Sequence, residues 1–246
     1  FLSAGRVNEW YPKSLTASVL PMRAKYLLLI AALFGSVFAA PAHALPSQVK
    51  SVDAPWVYFY ADKSGAASVT NNSIPKTFSV DKALTKSSFK VDFTNTPEIY
   101  RPAINGAIDV WGQNFTSQVP VKVQVIWERQ ASSATLAAAS PGKFHSNFKN
   151  IPDKDLWYAS ALADAIAAED IEPTIPEVTI RINSTNGPML YLGTDGNCPS
   201  TKYDLESMIL HEMAHGLGFL SNSDYDNLFG YGSIQQPTPY DAYAQL

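Results

Sequence analysis

Residues 89–127 restrict the fold more than any other stretch of the chain. Phe89, Val91 and Phe93 alternate with Lys90 and Asp92, the period of a half-buried strand. Thr96-Pro97-Glu98 reads as a helix start, with a capping residue, a proline at the first helical position and an acid in the first turn. Tyr100, Ala103, Ile104, Ala107, Ile108, Trp111 and Phe115 then recur at threes and fours, one continuous apolar stripe. Val121 to Trp127 follows as a second strand. Strand, helix and strand at this spacing form a βαβ unit, in which the two strands are parallel neighbours.

The rest of the chain builds on that unit. Upstream, Trp56 to Tyr60 reads as a strand, followed by a polar loop rich in Ser, Thr, Asn and Lys. Downstream of Trp127 comes a loop of small residues, in which His145 reads as an exposed position. A second amphipathic helix is expected near Asp155 to Ala168, with Leu156, Ala159, Leu162, Ala163 and Ile166 on its apolar face. Glu177 to Asn183 alternates as a third strand. Met189 to Leu192 reads as a fourth, with core packing as its default role and the edge strand over a cleft, where a peptide could add by backbone pairing, as the alternative. Asp195-Gly196 is a turn signal, and a last helix runs from about Tyr203 to Leu217, with Gly216 or Gly218 at its exit. The expected class is α+β: a mixed sheet opening on a βαβ unit and packed on helices.

That last helix carries His211-Glu-Met-Ala-His215. Histidines four apart lie a little over one turn apart, so both imidazoles leave one face and can grip one metal ion. In H-E-x-x-H sites the glutamate, here Glu212, is not a ligand. It takes a proton from an activated water and returns it to the leaving amine. Burying two histidines and a glutamate in a structural helix without partners would be costly. Glu206 reads as a first-turn acid that favours the helix N-terminus.

The N-terminal part reads as an export signal. Residues 1–21 precede the first methionine, Met22, and are read as upstream sequence. Arg23 and Lys25 precede an apolar run of 15 residues, Tyr26 to Ala40, and Ala42-His43-Ala44 supplies the small residues of a cleavage site after Ala44. The run is shorter than the roughly 20 residues that span a bilayer. Residues 22–44 are therefore expected to be a signal peptide, and no membrane span is expected in the mature chain. Residues 45–88 form an N-terminal strand-and-loop segment that could include a propeptide, and 89–246 form the main domain. The chain stops at P-T-P-Y-D-A-Y-A-Q-L, and the domain is expected to continue beyond residue 246.

Removing residues 1–44 takes away four of the 18 basic residues (Arg6, Lys13, Arg23, Lys25) and one of the 22 acidic ones (Glu9), leaving 14 against 21. A chain this acidic, with no basic cluster, argues against nucleic acid as a partner. Cys198 is the only cysteine. It fits a free thiol or a disulfide to a partner beyond the sequence, and 13 residues before His211 it could also cap a latent metal.

His211-Glu-Met-Ala-His215-Gly-Leu-Gly218 resembles the opening of the metzincin motif, H-E-x-x-H-x-x-G-x-x-H. Together with "AIDVWGQNFTSQVPVKVQV", "DLWYASALADAIAAEDIEP", "YLGTDGN" and "PYDAYAQL", residues 89–246 resemble a group of secreted bacterial zinc metalloproteases, some of which carry a protease-associated domain. The resemblance implies a zincin-like fold, a bound Zn2+ and hydrolysis of peptide bonds in protein or peptide substrates outside the cytoplasm. His211 and His215 would hold the metal, and Glu212 would be the general base. Gly218 matches the glycine that turns the chain under the metal. The departure is Ser221, which stands where that motif has its third histidine. No histidine or glutamate follows His215. Three candidates stay open for the third ligand: Asp241, a residue beyond 246, and Asp224, since zinc accepts carboxylate oxygen. Asp226 lies beside Asp224 and, like it, also reads as a solvated loop residue. The Met-turn of metzincins has no match in the chain. Two other readings remain: a zinc amidase acting on cell-wall peptides, and a non-catalytic exported metal-binding or surface interaction protein.

Overall fold

A computed structural model of the chain describes residues 48–61, 86–226 and 230–243. The expected signal peptide, residues 22–44, and the upstream residues 1–21 lie outside the described residues, as does most of the polar loop after Tyr60.

The fold is α+β. Strand β1 spans Lys50–Val52, β2 Val57–Tyr60 and β3 Phe89–Thr94. Helix α1 spans Arg101–Asn114 and leads to β4, Val121–Glu128. β3 and β4 pair in parallel from Phe89↔Val121 to Thr94↔Ile126, so the two strands flanking the helix are parallel neighbours as the spacing required. Then come β5 (Thr135–Pro141), β6 (Phe144–Ser146), β7 (Tyr158–Ala159), α2 (Ser160–Ala167) and β8 (Val178–Asn183). The chain continues through short strands β9 (Leu190–Tyr191) and β10 (Tyr203–Asp204) into α3, Leu205–Gly216. A hairpin of β11 (Ser223–Asp226) and β12 (Tyr231–Ile234) and a short α4 (Pro239–Tyr243) complete the described elements.

The main sheet has the order β2-β5-β8-β4-β3. β4 pairs in parallel with β8, whereas β5 runs antiparallel to both β8 and β2. The core lies between this sheet and two helices. Val121, Val123, Val125, Ile180 and Ile182 meet Ala103, Ile104 and Ala107 of α1 and Leu205, Met208, Ile209 and Met213 of α3, all buried. Among the described residues, no helix is long and apolar enough to cross a membrane.

Several expectations are corrected. The loop of small residues holds a strand, β5, buried along its whole length. Thr-Leu-Ala-Ala-Ala-Ser-Pro has no alternation because both of its faces are covered, which removes the pattern that marks a half-exposed strand. His145 is not exposed: it lies in β6, fully buried, with Nδ1 2.9 Å from Ser51 Oγ and Nε2 3.0 Å from Ser160 Oγ. Two hydroxyls satisfy both ring nitrogens, and burial lowers its pKa. The second helix begins at Ser160, because Tyr158 and Ala159 are extended and pair with β6. Met189 to Leu192 is no edge strand of the main sheet. Met189 closes a 3-10 turn, and β9 pairs with β10 in a separate two-stranded sheet. Thr96 does not cap α1, since its hydroxyl donates to Val125 O and a 3-10 turn over Glu98–Tyr100 comes first.

Candidate metal centre

Helix α3 is fixed at both ends. Asp204 is its N-cap, accepting from Glu206 N at 3.2 Å and from Ser207 Oγ at 2.8 Å. Glu206 sits in the first turn as expected, but it is buried, and burial pushes its carboxyl up to about 7. Toward the other end, a Cβ added at Gly216 would lie 2.2 Å from Val178 Cγ1, so the glycine lets the helix pack closely on β8. Gly218 then takes a φ of +112°, which favours glycine. The turn it makes brings Phe219 O back to His215 Nδ1 at 2.8 Å.

That bond orders the histidine face of the helix. A carbonyl can only accept, so His215 Nδ1 carries the proton and Nε2 keeps its lone pair for a metal. His211 Nε2 and His215 Nε2 lie 2.9 Å apart, with the rings edge to face at 86°. Two nitrogens bound to one tetrahedral zinc would sit about 3.3 Å apart, given Zn–N bonds of about 2.0–2.1 Å. The pair therefore converges almost at chelating distance. Burial, and then the electrostatic effect of the neighbouring His215, lower the pKa of His211, which favours the neutral ring a metal needs. The Phe59 ring packs against His211, centroids 4.9 Å apart.

Glu212 is fully buried, and neither carboxylate oxygen has a hydrogen-bond partner. Burial pushes its pKa up to about 8. A carboxyl in this state costs stability unless it has work to do beside a cation or a reacting proton. The donor set fits a zinc-type metal: two imidazoles aimed at one point, one held by a carbonyl from behind, with an orphaned carboxyl between them in sequence.

The third ligand is less simple. Among the described residues, no other His, Cys, Asp or Glu joins the histidine pair with ligand atoms all within 4.8 Å of one another. Asp224 is exposed on β11, paired with Ser233. Asp241 does fold back to the stretch after the motif, where its Oδ1 accepts from Ser221 Oγ at 2.5 Å and its Oδ2 from Asn222 N at 3.1 Å. Thr238 and Asp241 also form a reciprocal capping box on α4: Thr238 N donates to Asp241 Oδ2 at 2.8 Å, and Asp241 N to Thr238 Oγ1 at 3.2 Å. Burial raises the Asp241 pKa, but bonds from Ser221, Thr238 and Asn222 outweigh it, so the net shift is downward. Asp241→Asn separates the two roles. We expect a capping loss of about 1 kcal/mol in thermal unfolding with zinc affinity nearly unchanged. A fall of 100-fold or more in zinc affinity, read by competition with a chromogenic chelator, would make Asp241 a ligand.

Cys198 is a buried free thiol within reach of Pro199 O and Lys202 O, and burial raises its pKa. At the C-terminal end of α3, an apolar pocket of about 430 Å³ is lined by Trp111, Leu162, Leu217, Phe219, Tyr240 and Tyr243 among others.

A second cluster has no signature in the sequence. Asp164, Asp170 and Glu177 bring ligand atoms within 4.8 Å of one another and could hold a metal ion. Lys122 Nζ already lies 2.9 Å from Asp170 Oδ2 and 3.1 Å from Glu177 Oε1. Burial works against the Lys122 charge, yet the two carboxylates hold its pKa above the usual value. Burial also pushes Asp164 up to about 7 and raises Glu177. Lys122→Met leaves the buried Glu177 without its counter-charge. It should cost about 1–3 kcal/mol at pH 7, less than a fully buried pair because Lys122 is part-exposed; urea unfolding checks it.

Compared with known protein families, characterised proteins and solved structures, the chain matches none.

Proposed function

We propose that this chain is an exported, zinc-dependent endopeptidase with a zincin-like catalytic domain. The observation that carries the proposal is the buried, unpartnered Glu212 beside two converging histidines, one of them locked in a ligating tautomer by Phe219 O. The topology supports it: parallel β3, β4 and β8, an antiparallel β5 beside them, then the motif helix. The proposal assigns no third protein ligand among the described residues, because the Asp241 oxygens are committed to Ser221, Asn222 and Thr238.

Zinc, when bound, supplies Lewis-acid polarisation of a carbonyl and makes water more acidic. The protein's own residues do the rest. His211 and His215 hold the ion, and Phe219 O keeps His215 oriented. Glu212 takes a proton from water and returns it to the leaving amine, its basicity set by burial against the nearby positive charge. The apolar pocket at the end of α3 offers a place for an apolar substrate side chain.

The test is digestion of an unfolded protein substrate by residues 45–246, with zinc, with a chelator, and with zinc restored. Cleavage that stops with the chelator and returns with zinc is expected. Bound zinc without cleavage would instead support an exported metal-binding protein.

A further inference from the structure

We infer that Val57–Tyr60 stands in the place of a bound peptide, and that a peptide reaches the histidine pair by taking this strand's position on β5. The inference rests on the peptidase reading and concerns how its site is filled.

β2 is extended, antiparallel to β5, and outermost among the described strands of the sheet. Its residues alternate: Val57 and Phe59 are half-buried, whereas Tyr58 and Tyr60 are exposed. Phe59 is thus the side chain this strand sends toward α3, and it lands on His211. A peptide laid along a sheet edge by backbone pairing places alternate side chains in the same way. The strand beside the metal pair is therefore already occupied, by the chain itself.

The attachment is uneven along the segment. Upstream of β2 it is strong. β1 pairs with β6, Ser51 Oγ meets the buried His145 Nδ1 at 2.9 Å, and the Arg181 guanidinium lies 4.0 Å over the Trp56 ring. β2 itself has four residues, and its register on β5 slips between Phe59 and Tyr60, beside the residue that touches His211. By contrast β4 and β8 pair without a break over six residues. Just past β2, Ala61 N donates to Ala134 O at 2.8 Å, so exchange would break that bond and the four β2 pairings while Lys50–Trp56 stays anchored. An incoming strand would satisfy the same β5 backbone groups, so exchange leaves no buried N–H or C=O unpaired.

The test locks the strand. Tyr58 and Ala138 face each other across β2 and β5, and facing residues of an antiparallel pair lie within disulfide range. The protein carries Tyr58→Cys and Ala138→Cys, with Cys198→Ser. The probe is a fluorescein-labelled, unstructured octapeptide of Gly, Ala, Leu and Lys, followed by anisotropy in oxidised and reduced protein. The oxidised form should bind about tenfold more weakly or worse, with full recovery on reduction. Phe59→Ala, in a chain without the added cysteines, should bind more tightly than wild type. Equal affinity in oxidised and reduced forms overturns the inference. So does an absence of saturable binding to both the reduced form and Phe59→Ala. Cleavage of the same peptide is scored separately. Lock-sensitive binding without cleavage in any form keeps the inference and removes the peptidase reading. Cleavage that ignores the lock does the reverse.

Discussion

Glu212→Gln should abolish zinc-dependent cleavage and, in metal-free protein, remove a pH dependence of stability between about pH 4.5 and 8. The first effect is a loss of about 10²–10⁴ in rate, the usual worth of a positioned general base. The second follows from burial. The Glu212 carboxyl has its pKa pushed from 4.5 up to about 8. Between those values the native state keeps a proton that the unfolded chain has released. Stability therefore falls as pH rises through the window, by on the order of 5 kcal/mol in all, and is flat for this group on either side. Asp164 and Glu206, both pushed up to about 7, act in the same direction. They are common to both proteins and cancel in the difference.

The buried glutamine amide carries a penalty of its own, which is independent of pH. The decisive quantity is therefore the slope of the difference, not its offset. Urea unfolding in chelator at pH 5, 6.5 and 8.5 gives it. Parallel curves for wild type and variant would mean that the carboxyl finds partners or water, and the main support for the proposed base would be gone.

What made Glu212 visible in the sequence was the helical period. His211 and His215 could be placed on one face because 3.6 residues per turn leaves little choice. The βαβ unit was visible for a similar reason: β3 and the α1 stripe each have one covered face, and one-sided burial writes a period into the chain. β5 is the opposite case. Ala137, Ala138 and Ala139 are all fully buried, so no alternation survives, and the strand next to the site read as a loop. His145 read as exposed because its partners, Ser51 and Ser160, come from 94 residues before and 15 after it. The Asp164, Asp170 and Glu177 cluster is assembled from α2 and the irregular loop that follows it, with no regular spacing. The capping box on α4 did have a local signal. Thr238-Pro-Tyr-Asp241 places an acid three residues after a threonine, with proline at the first helical position, and it ties Asp241 to α4 as firmly as to Ser221.

Gly216→Ala tests whether the metal face depends on how closely α3 approaches the sheet. In a free helix this change would gain up to about 1 kcal/mol, since alanine is the better helix former. Here the new Cβ would meet Val178 at 2.2 Å from Cγ1, 2.9 Å from Cγ2 and 3.1 Å from Cβ. Rotating Val178 cannot clear all three atoms, because the closest approach to its Cβ is independent of χ1, and a β-branched side chain has few other rotamers. Helix and sheet must separate, and overpacking of this kind costs about 1–3 kcal/mol or more, which exceeds the propensity gain. The shift falls one residue after His215, whose bond to Phe219 O depends on the same turn. If the proposed site is right, zinc affinity should therefore fall together with stability, although neither proposed ligand is altered. Val178→Ala in the same chain removes both Cγ atoms and should restore most of each loss. A double-mutant cycle on unfolding and on zinc binding gives the coupling. Additive effects would show that the helix end and β8 do not jointly set the histidine pair.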